Sequence, residues 1–306
     1  MKLGFLTACM PERRLDRIAQ WASGKGFATL EVACWPAVEG RDFQAAHLDV
    51  ARFTDDDVEA TRKLLDETGL EISALAYYDN NLHQDADVRR GVHDHLRRVI
   101  DAASRLEVPL VGTFVGRDLS RSVKENLEEG GRVLPQLVDY AGERGVSLVI
   151  ENCPMEGWGP DGYPANLAYS PELWEWMFDL GLYLNYDPSH LVWLGIDPVT
   201  ALKPYADRVR HMQAKDTQVD AAARNRFSVF GKTVSRRDGW DVGWWRYRVP
   251  GLGDVDWRRV IDTLHEAGYE GAVSIEHEDP VWGGTPDRVD TGLLIAQRTL
   301  QPLIHV

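Results

Sequence analysis

Short apolar stretches alternate with longer amphipathic ones from one end of the chain to the other. The apolar, β-branched stretches at 3–7, 29–34, 72–77, 110–114, 147–151, 182–187, 209–215 and 272–276 read as strands. Between them, apolar positions recur with helical spacing over 15–24, over 54–69 with Thr54 as the N-cap, over 88–106, and in a helix ending near Gly145. Glycines at 24, 69, 145, 181 and 268 stand just ahead of the next strand, where a helix C-cap must enter the left-handed conformation. Strict strand–helix alternation implies a parallel sheet. Eight such strands predict one closed (β/α)8 TIM barrel of α/β class, a single domain over 1–306. An open doubly wound sheet is disfavoured because TACMPERR, not a glycine-rich phosphate turn, follows the first strand.

Two connections are longer than the pattern requires, after strands five and seven. The first covers 153–170 and carries Trp158, Tyr163 and Asn166; the second covers 216–256 and includes RRDGWDVGWWRYRVPG. Both follow strands, so both belong to the C-terminal face, where barrel loops build active sites. Trp240, Trp244, Trp245 and Tyr247 suit stacking on a carbohydrate, and suit equally a contact between subunits of a homo-oligomer.

The strands stop at residues with chemistry. SLVIE ends at Glu151, LYLNYD at Asp187, and AVSIE at Glu276. A lone carboxylate at a strand end is usually a hydrogen-bond acceptor, but three converging on one mouth repel unless a cation compensates them. Oxygen ligands of this kind favour Mn²⁺ or Mg²⁺, with Co²⁺ next and Zn²⁺ less suited. In VRHMQAKD, alternation puts His211, Gln213 and Lys215 on one face. His211 is the better intrinsic ligand, whereas Gln213 is nearer the mouth. Lys215, above both, could bind a substrate oxygen, or merely pair with Asp187 or Asp216. Pro188 turns the chain after Asp187 and lets His190 face the mouth as a substrate-binding group. YYDNNLH places Tyr78, Asn80 and His83 on the mouth side, as donors and acceptors for sugar hydroxyls. After Glu276, His277 and Asp279 should point away from the interior, leaving Glu278 as a further acid.

Composition changes this picture little. A net charge of −14 repels polyanions, so nucleic acid is not an expected partner. No apolar stretch approaches the roughly 20 residues of a membrane span. Three scattered cysteines and no apolar leader segment point to the cytoplasm.

The stretches ISALAYYDNNLH, VGTFVGRD, LVIENCPM, DPSHLVWLGID, HMQAKDT, PGLGDVDW and VSIEHED together resemble the xylose isomerase-like TIM-barrel superfamily, the sugar phosphate isomerase/epimerase group, over nearly the whole chain. The resemblance implies one divalent ion, commonly Mn²⁺, held by Glu151, Asp187, Gln213 and Glu276. It also implies that Glu151 and Glu276 act as paired acid/base carboxylates and that His190 binds substrate. Relatives usually read HxHAKD, with His where this chain has Gln213; Gln at that position is seen in dehydratase-type relatives.

The leading expectation is a metal-dependent isomerase or epimerase of a keto sugar or keto-glycoside, removing a proton next to the carbonyl through an enediolate. The alternative uses the same first step and then loses a β leaving group: a lyase or dehydratase, for example on a 3-keto-glycoside. Phosphodiesterase chemistry on this barrel would need extra His ligands and a basic face that the chain lacks. A non-catalytic binding protein is disfavoured by intact Glu151 and Glu276.

Overall fold

The computed structural model describes residues 1–37, 45–159, 164–237 and 240–304. Tyr163 lies outside them. Eight parallel strands close into a barrel: β1 (Lys2–Leu6), β2 (Thr29–Ala33), β3 (Glu71–Ala76), β4 (Leu110–Thr113), β5 (Ser147–Glu151), β6 (Tyr183–Tyr186), β7 (Val209–Ala214) and β10 (Ala272–Ile275). β1 closes the ring against β10, with Phe5 opposite Ile275. Helices cover the outside, so the strands are buried on both faces; every residue of β2 and β10 is buried. This is the predicted (β/α)8 barrel.

Local sequence explains where the helices begin. In α2 (Asp55–Thr68) the predicted cap Thr54 receives the Asp57 N–H at 3.3 Å, and Asp57 reciprocally accepts the Thr54 N–H at 2.8 Å. The helix stops at Gly69, whose φ of 67° is the left-handed conformation. α3 (Ala86–Leu106) starts two residues earlier than the pattern predicts, because Asp85 caps it through the N–H groups of Asp87 and Val88. It buries Val92, Leu96, Val99, Ala103 and Leu106 at helical spacing against the barrel.

The connection after β7 is not structureless. It holds an antiparallel hairpin, β8 (Asp216–Val219) paired with β9 (Trp245–Arg248), in which Thr217 faces Tyr247 and Val219 faces Trp245. Asp216 fastens both ends of this excursion. Its carboxylate accepts the N–H groups of Thr217, Gly251 and Val255 and the Trp257 indole N–H. Trp193, Val242, Trp244 and Trp245 form a small cluster of their own beneath the hairpin. Trp193 and Trp245 stack with centroids 4.6 Å apart. Four donors on one carboxylate, three of them buried, and a separate apolar cluster make the hairpin a fixed wall over the mouth.

Candidate active site

The C-terminal mouth opens into a cavity of about 1130 Å³, lined by Glu151, Lys215 and Glu276 on its polar side. β5 delivers Glu151 as its last residue, and Glu276 follows directly on β10. Asp187 follows β6, where Pro188 opens the short helix α6 (Pro188–Leu194). Asp187 caps that helix: Oδ1 accepts the Ser189 N–H at 2.8 Å. The Asn152 side chain clamps the Asp187 backbone, donating to its carbonyl and accepting its N–H, both at 2.8 Å. Oδ2 is thereby aimed at the cluster.

One carboxylate oxygen each from Glu151, Asp187 and Glu276 lie within 4.8 Å of one another. Lys215 Nζ sits among them, 2.8 Å from Glu276, 3.3 Å from Glu278, 3.4 Å from Asp187 and 3.8 Å from Glu151. His190 Nε2 lies 3.1 Å from Glu151 Oε1 and 3.3 Å from Asp187 Oδ2. On its other side, Nδ1 meets the Tyr247 hydroxyl at 3.1 Å. Tyr247 in turn donates weakly to Glu156 Oε1 at 3.5 Å.

These contacts push the titrations apart. Burial raises the Glu151 pKa, with Lys215 and His190 offsetting part of the effect. Burial and the neighbouring Glu151 carboxylate push Glu276 well above the usual range. Burial works against charge on Asp187 too, but His190 and Lys215 hold it below the usual range. Burial likewise opposes the charge on Lys215, yet Glu276, Glu278 and Asp187 raise its pKa well above the ordinary value. For His190, burial and the Lys215 ammonium oppose the charge, but the Asp187 carboxylate, by charge and by hydrogen bond, favours it, and the imidazole pKa lies well above its usual value.

A divalent cation fits this donor set. Gln213 Oε1 is buried and accepts no hydrogen bond among the described residues, and Asp187 Oδ2 has only the more distant His190 and Lys215 nitrogens, at 3.3 and 3.4 Å. Gln213 has its amide nitrogen committed elsewhere, to Glu31 Oε1 and the Tyr78 hydroxyl, each at 3.1 Å. Glu151, Asp187, Glu276 and the partly exposed Glu278 outnumber the two cationic groups among them, Lys215 and His190, an excess that a divalent cation would balance. His211 lies deeper in the barrel, with Nδ1 on Asn185 Oδ1 at 2.9 Å and Nε2 on Ser73 Oγ at 3.0 Å. Both of its nitrogens are taken, and burial lowers its pKa, keeping it neutral.

Residues 19–297 match the family described as xylose isomerase-like TIM barrel. The chain belongs to that family. Within it, an inosose dehydratase of Clostridium tetani is 37% identical over 100 residues, 32% of this chain and 32% of that protein. The matched stretch therefore spans about a third of that relative's length. Among solved structures, D-psicose 3-epimerase with D-tagatose from Clostridium cellulolyticum H10 superposes with a TM-score of 0.70 at 14% identity, covering 100% of both chains. A probable 3-DHS dehydratase of Bacillus anthracis gives a TM-score of 0.70 at 16% identity, covering 98% of this chain and 99% of that one. At such identities the two structures establish the shared barrel alone.

Of the residues singled out in the sequence, the xylose isomerase-like barrel gathers Glu151, Asp187, His190, Lys215 and Glu276 in one cluster, with Glu278 at its edge. Tyr78 reaches inward, its ring filling the space left by Gly112, where a Cβ would stand 2.3 Å from the phenolic oxygen. His83 is not brought to the cluster. Asn80 Oδ1 accepts the N–H groups of Leu82 and Arg117, turning the chain aside. His83 then lines a neighbouring cleft, where its Nδ1 accepts the Asp85 N–H. His277 points outward as expected and packs over Gly292, where a Cβ would approach its Nε2 to 2.2 Å. Three participants escape the sequence reading: Glu31, Glu156 and the Tyr247 contact to His190. Glu31 had a signal, as the one charged residue inside the apolar stretch TLEVAC. Glu156 sits in a loop of ordinary composition and had none.

Proposed function

We propose that this protein is a divalent-metal-dependent lyase of the dehydratase kind, which removes the proton beside the carbonyl of a polyhydroxylated ketone and expels a β-oxygen substituent. The observation that supports this most is the unlike pair at one cluster: a buried carboxylate with a raised pKa, Glu151, beside a protonated amine, Lys215, 3.8 Å away. Glu151, Asp187, Gln213 and Glu276 would hold the cation, whose chemistry is to polarise the carbonyl and acidify the adjacent C–H.

The chain's own groups account for the remaining proton traffic. Burial makes Glu151 a stronger base than a solvated carboxylate, and the His190 contact fixes its orientation. The C–H electron pair becomes the new carbon–carbon double bond as the β C–O bond breaks. Lys215 supplies the proton that lets the departing oxygen leave as water or an alcohol. Glu278, partly exposed at the rim, can accept a substrate hydroxyl.

Epimerisation shares the first half, and the chemical likeness of Glu151 and Glu276 is what favours it: one carboxylate removes a proton and the other returns it. Elimination is the better-supported reading for two reasons. Lys215 lies 2.8 Å from Glu276, which places a cationic acid where epimerisation would need a second free carboxylate. The relative reported above at 37% identity, over about a third of this chain, is named a dehydratase. The test is product mass after incubating Mn²⁺-loaded protein with a panel of polyhydroxy ketones and keto-glycosides. A product lighter by water or by the substituent, absorbing as a conjugated ketone, supports elimination. A product of unchanged mass supports epimerisation instead.

A further inference from the structure

We infer that the substrate is a keto sugar carrying a flat aromatic aglycone, with the sugar at the carboxylate cluster and the aglycone against the aromatic wall of the same cavity. This rests on the reading above and deepens it.

Size comes first. At about 1130 Å³ the cavity exceeds the roughly 300–1,000 Å³ typical of pockets for drug-sized ligands, and one sugar ring would leave most of it unfilled. The lining is also divided. The Lys215 ammonium lies 4.5 Å from the centre of the Tyr247 ring. Tyr247 packs edge-on against Trp245, with centroids 4.7 Å apart. Beyond them the wall continues through Val219, Val242 and Trp244. Asp216 and the Trp193–Trp245 stack hold this wall in place, so it is preformed rather than a loop awaiting a partner.

The wall is not purely apolar: Gln218, Asp220, Asp241 and Arg246 line the cavity beside the aromatic residues. A flat ring laid on Tyr247 and Trp245, with one or two oxygen substituents at its edge, would meet both kinds of lining.

The test uses Mn²⁺-loaded protein and calorimetric titration with p-nitrophenyl glucoside, methyl glucoside and maltose, none of which has the ketone needed for turnover. The aryl glucoside is expected to bind at least ~10-fold more tightly than the other two. Val219→Trp, which fills the aromatic half, should erase that preference, as should Trp240→Ala at the half-exposed rim if the first variant does not fold. Equal affinities, or maltose binding best, would overturn the inference. Preferential aryl binding by a protein that removes a proton from no ketone would sink the proposed reaction and leave the binding inference standing. Turnover of free keto sugars with no aryl preference would do the reverse.

Discussion

Gln213 donates its amide N–H to Glu31 Oε1 at 3.1 Å, and that contact decides which way the amide faces. Glu31 also accepts the Tyr78 hydroxyl at 2.5 Å and, on Oε2, the Ser274 hydroxyl at 2.8 Å. A carboxylate surrounded by three donors can only be met by the nitrogen end of a glutamine. The oxygen end is turned away and left without a donor. A residue three strands from β7 around the ring thus leaves the Gln213 oxygen without a donor, as the proposed cation site requires.

Replacing Glu31 removes that instruction. Glu31→Gln keeps the shape but lets the Gln213 amide adopt either orientation. Mn²⁺ affinity, read by titration calorimetry on the folded protein, should fall about 10- to 100-fold, as for other groups that orient a ligand. Unchanged affinity would show that Gln213 does not bind the ion.

Glu151→Gln and Glu276→Gln should each lower turnover by about 10²- to 10⁴-fold. Metal content must be measured on the same samples, since both residues belong to the proposed ligand set. Near-normal turnover in Glu151→Gln would remove it as the base. Near-normal turnover in Glu276→Gln, with metal retained, would leave it with neither role.

The barrel was legible because its strands are buried on both faces and so appear as unbroken apolar runs, each within one or two residues of its observed ends. The strand-end residues Glu151, Asp187 and Glu276 were legible for the same reason: a charge closing an apolar run marks the mouth. What escaped depends on contacts distant in sequence. DPSH read as a turn, whereas Asp187 uses its side chain to start α6 there. Thr217–Val219 and the WRYR segment were taken into one long loop, although the alternation in WRYR is that of a strand with one face covered. His83 was placed at the mouth from spacing alone, and the Asn80 hydrogen bonds that divert the chain could not be read from spacing. Glu31 acts through residues 47, 182 and 243 positions along the chain.

Tyr247 holds the far nitrogen of His190 at 3.1 Å, and the raised imidazole pKa makes this a bond to a charged donor. Such bonds are worth about 1.5–3 kcal/mol, so Tyr247→Phe should reduce kcat about 10- to 100-fold. KM should change far less, since the hydroxyl acts through His190. A raised KM with unchanged kcat would assign the hydroxyl to substrate binding instead.

Burial pushes the Cys34 thiol well above its ordinary range. The folded chain therefore keeps this proton to higher pH than the unfolded chain, whose thiol titrates near ~8.5. Below that pH the contribution to stability is complete. Above it, stability falls as pH rises, by about 1.4 kcal/mol per unit for each such thiol. Cys9 and Cys153, pushed up to about 12, act in the same direction. Urea unfolding of wild type and Cys34→Ala between about pH 9 and 10 should show a shallower decline in the variant. Parallel declines would mean that the thiol ionises as readily folded as unfolded.

Proton abstraction beside a ketone is the step on which the functional account stands, and exchange with solvent measures it without requiring the natural substrate. Mn²⁺-loaded protein is incubated in D₂O with a panel of polyhydroxy ketones and keto-glycosides, alongside chelator-stripped protein and Glu151→Gln. The expected result, with the loaded wild type and not with the other two, is loss of the proton next to the carbonyl, read as deuterium at that carbon in recovered substrate or as that proton's absence from the eliminated product. Product formation without deuterium uptake or proton loss at that carbon, or equal exchange by stripped protein, would contradict it.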